Sequence, residues 1–186
     1  VHSEYSILDG ACRIGPLIDR AADLGMPAVG LTDHGSMAGA VELTRAAGKA
    51  GVKPILGCEM YVVDDHASRV QKERRAHLTL LAETTAGYHN LVRLVSSAYL
   101  DGYWYRPRVD LDQLAAHSKG IIALSGCLSG RVCKSLVDGD ERGARTEIDR
   151  LVQIFGRDNV YVELQDGGIE IQTAINPTLA ALARDA

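Results

Sequence analysis

PLIDRAADLGMPAVGLTDHGSMAGAVELTRAAGKAGVKPILGCEM, residues 16–60, reads as a helix, a strand, a second helix and a second strand in that order. In residues 16–25 the apolar Leu17, Ile18, Ala21, Ala22 and Leu24 face a core, and the segment stops at Gly25, a common helix-ending residue. Residues 28–35 (AVGLTDHG) and 53–63 (KPILGCEMYVV) are short apolar runs bounded by Gly, Asp or Pro. They lack clean alternation, as strands buried on both faces of a parallel sheet do. Residues 38–51 form the helix between them. Further strands are predicted at 76–83 (AHLTLLAE), 120–127 (GIIALSGC) and 159–165 (NVYVELQ), and further helices at 88–100, 111–117, 141–155 and 177–183. Within 88–100, Leu91, Leu94, Val95 and Ala98 make the i, i+3, i+4, i+7 stripe of a helix packed on a sheet. Strand alternating with helix predicts an α/β fold with right-handed connections.

Six metal-ligand side chains of mixed type lie far apart in the chain: His2, Asp9, His34, Glu59, His77 and Cys127. The last four sit at or beside the ends of apolar runs, so a repeated strand and helix pattern brings them to one rim. Open sheets bind ligands in one crevice, whereas barrels gather residues from many strand ends onto one face. Ligands on four strand ends therefore favour a barrel. Asp9 follows only a stump of strand, and a helical pattern at 177–183 closes the sequence, so a truncated first strand and a missing last strand are expected.

With 186 residues the chain can bury roughly 70% of its unfolded surface, and a hydrophobic content of 46% supplies the core. No apolar stretch approaches the about 20 residues that span a bilayer, and no cleavable leader opens the sequence. The expectation is a soluble, cytoplasmic protein that uses no membrane. Cys12, Cys58, Cys127 and Cys133 show no CxxC spacing, which suits reduced thiols. Of these, Cys12, Cys58 and Cys133 read as packing residues. The net charge of −4 speaks against gripping duplex DNA by charge alone, although bound divalent cations would change that locally.

The stretches VHSEYSILDGA, MPAVGLTDHGSMAGAVE, AGVKPILGCEMYV, HLTLLAETTAGYHNLVRLVSSAYLDGYWYRPRVD, GIIALSGCLSG and YVELQD resemble the N-terminal polymerase and histidinol phosphatase (PHP) domain of bacterial DNA polymerase III alpha subunits. The likeness runs from Val1 to about residue 172, in order and at similar spacing. It implies a distorted (β/α)7 barrel carrying up to three metal ions at the C-terminal rim of its strands. His2 falls on the second histidine of the family's HxH motif, Asp9 on the aspartate of LLDG, His34 on the histidine of TDHG and Glu59 on the glutamate of GCE. His77 falls on the histidine of HLTLL and Cys127 on the cysteine of SGC, while the family's last motif, Asp-x-His, belongs after residue 186. Cysteine at the Cys127 position is typical of the polymerase branch, and phosphatase relatives tend to carry histidine there. Many relatives have a histidine where this chain has Gly167 in Asp166-Gly167-Gly168. That change bears on a supporting or substrate contact more than on the ligands.

Clustered divalent ions lower the pKa of water and steady a leaving oxygen during in-line attack at phosphorus. Neutral imidazoles and Cys127 suit Zn²⁺, and Asp9 and Glu59 can bridge ions and tolerate Mn²⁺ or Fe. Two to three ions are expected, with His34, Glu59 and Asp9 as the catalytic set. The resemblance implies a 3′–5′ exonuclease acting on the 3′ end of a primer strand, inside a polymerase that works with other holoenzyme subunits. Two alternatives stand beside it: an interaction module docking a separate proofreading subunit, and a free-standing phosphatase acting on a small phosphomonoester such as histidinol phosphate.

Other residues have plainer readings. Asp33 is expected to orient the His34 imidazole. His66, His89 and His117 belong to solvated surface. Arg69, Lys72, Arg74 and Arg75 make a basic stretch in a long loop, 64–75, open to nucleic acid but more simply a solvated loop. Tyr103, Trp104, Tyr105, Arg106 and Arg108 interleave aromatic and basic side chains as stacking platforms do, though Pro107 suggests a packed connection.

Overall fold

The computed structural model describes residues 1–7, 9–70 and 74–185. It confirms α/β architecture and places each predicted helix but the last within a few residues of its expected position. Helix α1 (Ile14–Asp23) leads into strand β1 (Ala28–Leu31), followed by α2 (Ala40–Ala50) and β2 (Lys53–Val62). Then come β3 (Ala76–Ala82), α3 (Thr85–Leu100), β4 (Arg108–Val109), α4 (Leu111–Ala116) and β5 (Ile121–Leu124). The chain continues through α5 (Arg131–Val137), α6 (Glu141–Phe155), β6 (Val160–Tyr161) and α7 (Glu170–Asp185). The short α5 and β4 have too few residues to show a period and were not expected. The 159–165 run pairs at only two residues, and α7 starts well before Pro177, which lies inside it.

The sheet runs β1-β2-β3-β5-β6, with β4 on β2. It departs from the expected parallel sheet at one strand, because β3 is antiparallel to both β2 and β5, while β1–β2, β2–β4 and β5–β6 are parallel. Strand β2 is the spine. Along the edge opposite β3 it takes β1 against residues 53–56, then His34 against Glu59, then β4 against Tyr61 and Val62. Among the described residues the two outer strands of the path, β1 and β6, do not pair with each other, so the sheet is that of a partial barrel and is not closed.

Packing follows the stripes read from the sequence. Leu91, Leu94 and Ala98 of α3 are fully buried against Met60, Leu80 and Ile121 of the sheet. Ile14, Ile18 and Ala21 of α1 meet Leu43 and Ala47 of α2 beside Val29 and Leu31. A third cluster joins Val132, Ile148 and Leu179 from α5, α6 and α7.

Half of the aromatic and basic segment is indeed a packed connection. Arg108 is 1% exposed, and its guanidinium donates to Gly102 O at 2.9 Å, His66 O at 3.0 Å and Ser68 O at 2.7 Å. It fastens the loop after β2 to the start of β4. Arg108→Met would keep the apolar stem and leave three carbonyls without that donor. At about 1 kcal/mol for each lost bond, the unfolding free energy should fall by about 3 kcal/mol. Urea titration would show this as a lower midpoint at unchanged m value.

Candidate metal centre

The antiparallel turn of β3 decides where the ligand candidates meet. His34 lies past the C-terminal end of β1, Glu59 near the C-terminal end of β2 and Cys127 past the C-terminal end of β5. His77 is the second residue of β3. In a parallel strand that position would point to the opposite rim. Because β3 is reversed, Tyr61 pairs with His77 and the imidazole joins the others.

Each side chain is fixed by its own local structure. His34 is bracketed by backbone bonds, Glu59 N–H to Asp33 O at 3.0 Å and Gly35 N–H to Glu59 O at 2.8 Å. Gly35 has φ 58°, and a Cβ there would meet Pro107 at 2.6 Å and the Tyr61 ring at 3.3 Å, so only glycine lets the turn lie this close. Gly126, at φ 82°, does the same for Cys127, because a Cβ would lie 2.7 Å from His77 O. The His2 ring is set by Nδ1, 2.7 Å from Thr32 O. A carbonyl only accepts, so Nδ1 carries a proton there, and Nε2 faces Glu59 Oε2, 3.8 Å away.

Asp33 corrects an expectation. Its carboxylate does not orient the His34 ring. It accepts from Ser3 N at 2.5 Å, Ser3 Oγ at 2.8 Å and Ser6 Oγ at 2.8 Å, and Ser6 Oγ in turn accepts from His34 N at 3.1 Å. Asp33, 1% exposed, thus anchors the loop that carries His2 and Asp9.

Glu59 is the centre of the arrangement. Its Oε1 lies 2.7 Å from His34 Nδ1 and 2.7 Å from His77 Nδ1. His34 Nε2 is 2.8 Å from Asp9 Oδ2, and Cys127 Sγ is 3.6 Å from His77 Nδ1. Despite these short distances, the buried Glu59 Oε1 and His34 Nδ1 make no aligned hydrogen bond. Buried donor atoms that crowd together without bonding to one another are a charge and hydrogen-bond deficit that a cation could meet. Two sets could each hold an ion: His2, His34 and Glu59, and Glu59, His77 and Cys127, the ligand atoms of each lying within 4.8 Å of one another. Glu59 is common to both, and Asp9 extends the first set through His34.

The electrostatics agree. Burial pushes the Glu59 carboxyl up, but the imidazoles of His77, His34 and His2 outweigh it and hold the group below the ordinary carboxylate range. Cys127 and then Glu59 raise His77 to about 10 against the opposing effect of burial. Burial likewise pushes the Cys127 thiol up, and His77 with the Ser129 backbone brings it below its usual value. A proton on His77 therefore balances two anions. A divalent ion would supply the same positive charge in its place.

Among the plainer readings, Cys58 and Cys133 are buried as expected, whereas Cys12 is exposed. Its position just before α1 puts it outside the first core layer. His66 is not simply solvated, for its Nδ1 contacts Asp110 Oδ2. Asp65, His66 and Asp110 form a third group of metal-ligand atoms. Those atoms already have partners: Asp110 caps α4 through Gln113 N and holds His66, and Asp65 accepts from Ala67 N. Lys72 of the basic loop lies outside the described residues. Gly167 donates to Gln172 Oε1 at 3.3 Å, tying its turn to α7. Sequence reading also missed Glu163, whose Oε2 is buried without a hydrogen-bond partner; in the sequence it was one residue of a strand.

The PHP domain family model matches residues 1–167. The chain belongs to the PHP domain family. It is 41% identical to the DNA polymerase III subunit alpha of Treponema pallidum, over 98% of this chain and 16% of that protein. It is 42% identical to the same subunit of Deinococcus radiodurans, over 99% of this chain and 14% of that protein. The chain thus spans about one sixth of the length of the curated relatives it matches. An amidohydrolase from Chromobacterium violaceum aligns with 94% of the chain and 51% of its own at 20% identity and a TM-score of 0.38, a likeness too loose to add to the fold. The described residues contain no helix long and apolar enough to cross a membrane.

The Asp33 anchor generates a prediction for this PHP domain. Asp33→Ala should release Ser3 and Ser6 and with them His2 and Asp9, while leaving Glu59, His77 and Cys127 in place. Elemental analysis of the protein purified without chelator should show at least one fewer ion per chain than the parent. Equal metal content in the two would show that the loop is held by other means.

Proposed function

We propose that this PHP domain is a metal-dependent 3′–5′ exonuclease within a DNA polymerase III alpha chain, removing nucleotides from the 3′ end of a primer strand. The observation that carries the reading is the sharing of Glu59 between two ligand sets, since paired ions suit in-line displacement at phosphorus. His2, His34, Asp9 and Glu59 would hold one ion, and Glu59, His77 and Cys127 a second. Imidazole and thiolate donors favour Zn²⁺, and the carboxylates would accept Mn²⁺ or Fe. When bound, such ions supply Lewis acidity that acidifies water and neutralises charge on the phosphoryl oxygens.

The chain's own residues do the rest. Asp9, with its side chain 58% exposed, is the carboxylate on the solvent side, and it takes the proton of the attacking water. That water's oxygen bonds to phosphorus, the bond from phosphorus to O3′ breaks, O3′ takes a proton from solvent, and the exposed Asp9 returns its own to solvent. The products are a nucleoside 5′-monophosphate and a strand one residue shorter. His34, gripped between Asp9 and Glu59, holds the geometry of the attack. Identity near 40% to polymerase subunits along nearly all of the chain supports the setting: a cytoplasmic replication protein that works with DNA and other holoenzyme subunits. The six matching ligand positions, brought together here, weigh against a purely structural module.

The full-length protein should shorten a 3′-labelled single-stranded oligonucleotide, and His34→Ala or Glu59→Ala should slow it by more than about a hundredfold. Digestion by both variants at the parental rate would assign the activity to another site.

Cys127 gives an independent check. A thiolate bound to metal is protected from alkylation, so it should resist iodoacetamide at neutral pH in the metal-loaded protein and react after chelation. Equal labelling in both states would remove Cys127 from the ligand set.

A further inference from the structure

The rim of His34 and His77 opens into two clefts, of about 450 and 540 Å³, that meet at Tyr61, Tyr105 and Arg106. Asp9 and His34 line the first together with Tyr99 and Tyr103; Arg75 lines the second. The metal site uses none of these tyrosines and arginines.

The segment 103–106 presents side chains instead of burying them. Trp104 N–H donates to Arg106 O at 3.1 Å, closing a tight turn. That turn holds Tyr105 at φ 58°, the one non-glycine residue with positive φ among the described residues. A bulky residue adopts this conformation only when its surroundings impose it, and such positions gather at functional sites. Tyr103 is 52% exposed and Tyr105 55%. Tyr103 stacks on Tyr99 with centroids 6.1 Å apart. The Arg106 guanidinium lies 6.0 Å from the centroid of the Tyr61 ring, and that ring has its edge on His77 at 5.3 Å. Among the described residues neither Arg75 nor Arg106 forms an ion pair. Half of the segment is therefore not the packed connection that Pro107 suggested.

Two unpaired guanidiniums one ring away from a metal rim have no work to do on a phosphomonoester, whose only phosphate belongs to the ions. They suit a neighbouring phosphate, which a guanidinium fork engages through two hydrogen bonds. Exposed tyrosines next to them offer flat faces on which any base can stack. We infer that Arg75 and Arg106 hold the phosphate adjacent to the one being cleaved, while Tyr103 and Tyr105 stack the terminal bases. The site then selects a single-stranded polynucleotide end over a small phosphate ester. This rests on the phosphodiesterase reading above for its chemistry, but not for its binding contacts.

The test uses the full-length protein and its Arg106→Ala, Arg106→Lys and Tyr105→Gly variants. Two substrates are compared, a 3′-labelled single-stranded oligonucleotide and bis(p-nitrophenyl) phosphate, which has no second phosphate. Arg106→Ala should raise KM for the oligonucleotide at least about tenfold. Its kcat, metal content and turnover of the small diester should stay within about twofold of the parent. Arg106→Lys should recover part of the loss, since it keeps the charge without the fork. Tyr105→Gly should raise KM without lowering the melting temperature, because glycine takes the same backbone conformation without strain. Separately, an oligonucleotide ending in 5-iodo-deoxyuridine should photo-crosslink to Tyr103 or Tyr105, as mapped by mass spectrometry, and Arg106→Ala should abolish the crosslink. If hydrolysis persists while KM in Arg106→Ala is unchanged, or crosslinking is absent or independent of Arg106, this inference falls and the phosphodiesterase reading survives. If the crosslink depends on Arg106 but the parent hydrolyses neither substrate, the binding inference stands and the exonuclease reading falls.

Discussion

A carboxylate buried near the end of β2 has to be balanced, and the way Glu59 is balanced organises the whole rim. At 5% exposure it has lost nearly all its water, and an unpaired buried charge costs several kcal/mol even after relaxation. Three imidazoles answer it, each from a different part of the chain: His2 from the loop tied to Asp33, His34 from the turn after β1, and His77 from the reversed strand β3. Cys127 joins through His77. No local segment could assemble this set alone, so the charge is satisfied only once the sheet has formed.

The reversal of β3 marks the limit of what apolar runs disclose. Residues 76–83 look the same read in either direction, because a strand buried on both faces has no alternation to give its orientation away. The sequence therefore supported α/β architecture, most helix positions and the convergence of ligands, while the parallel sheet it suggested is wrong for one strand. Direction is set by the connections. Among the described residues no helix lies between β2 and β3, and the chain returns antiparallel there, whereas β1 and β2 are separated by α2 and run parallel.

Legibility of the site divides along a similar line. The six candidate ligands could be named from motifs because metal chemistry admits few residue types, and their side chains lie around Glu59 or its neighbours. Their supports were less readable. Asp33 stands beside His34 in sequence, yet its carboxylate turns to Ser3 and Ser6 across the sheet edge. A carboxylate next to a ligand in sequence need not be next to it in space. The segment 103–108 mixes both outcomes within six residues. Arg108 is buried on backbone carbonyls and Arg106 is exposed over Tyr61; Arg106 belongs to the tight turn at Tyr105, and Pro107 alone separates it from Arg108.

The net charge of −4 looks hostile to a polyanion until distance is considered. At physiological ionic strength the Debye length is about 8 Å, so a strand end at the rim feels the nearest charges far more than the sum over the surface. Without ions the His77 proton balances only Glu59 and the Cys127 sulfur, and Asp9 remains to repel a phosphate. Bound ions reverse the sign at the rim, and Arg75 and Arg106 then extend the positive field along the clefts on either side of Tyr61. The acidic surface elsewhere discourages duplex from settling on the domain as a whole. If the domain takes a DNA end as proposed, attraction would be confined to the opening at Tyr103 and Tyr105, and a flexible single-stranded end would enter it more readily than a stiff double helix.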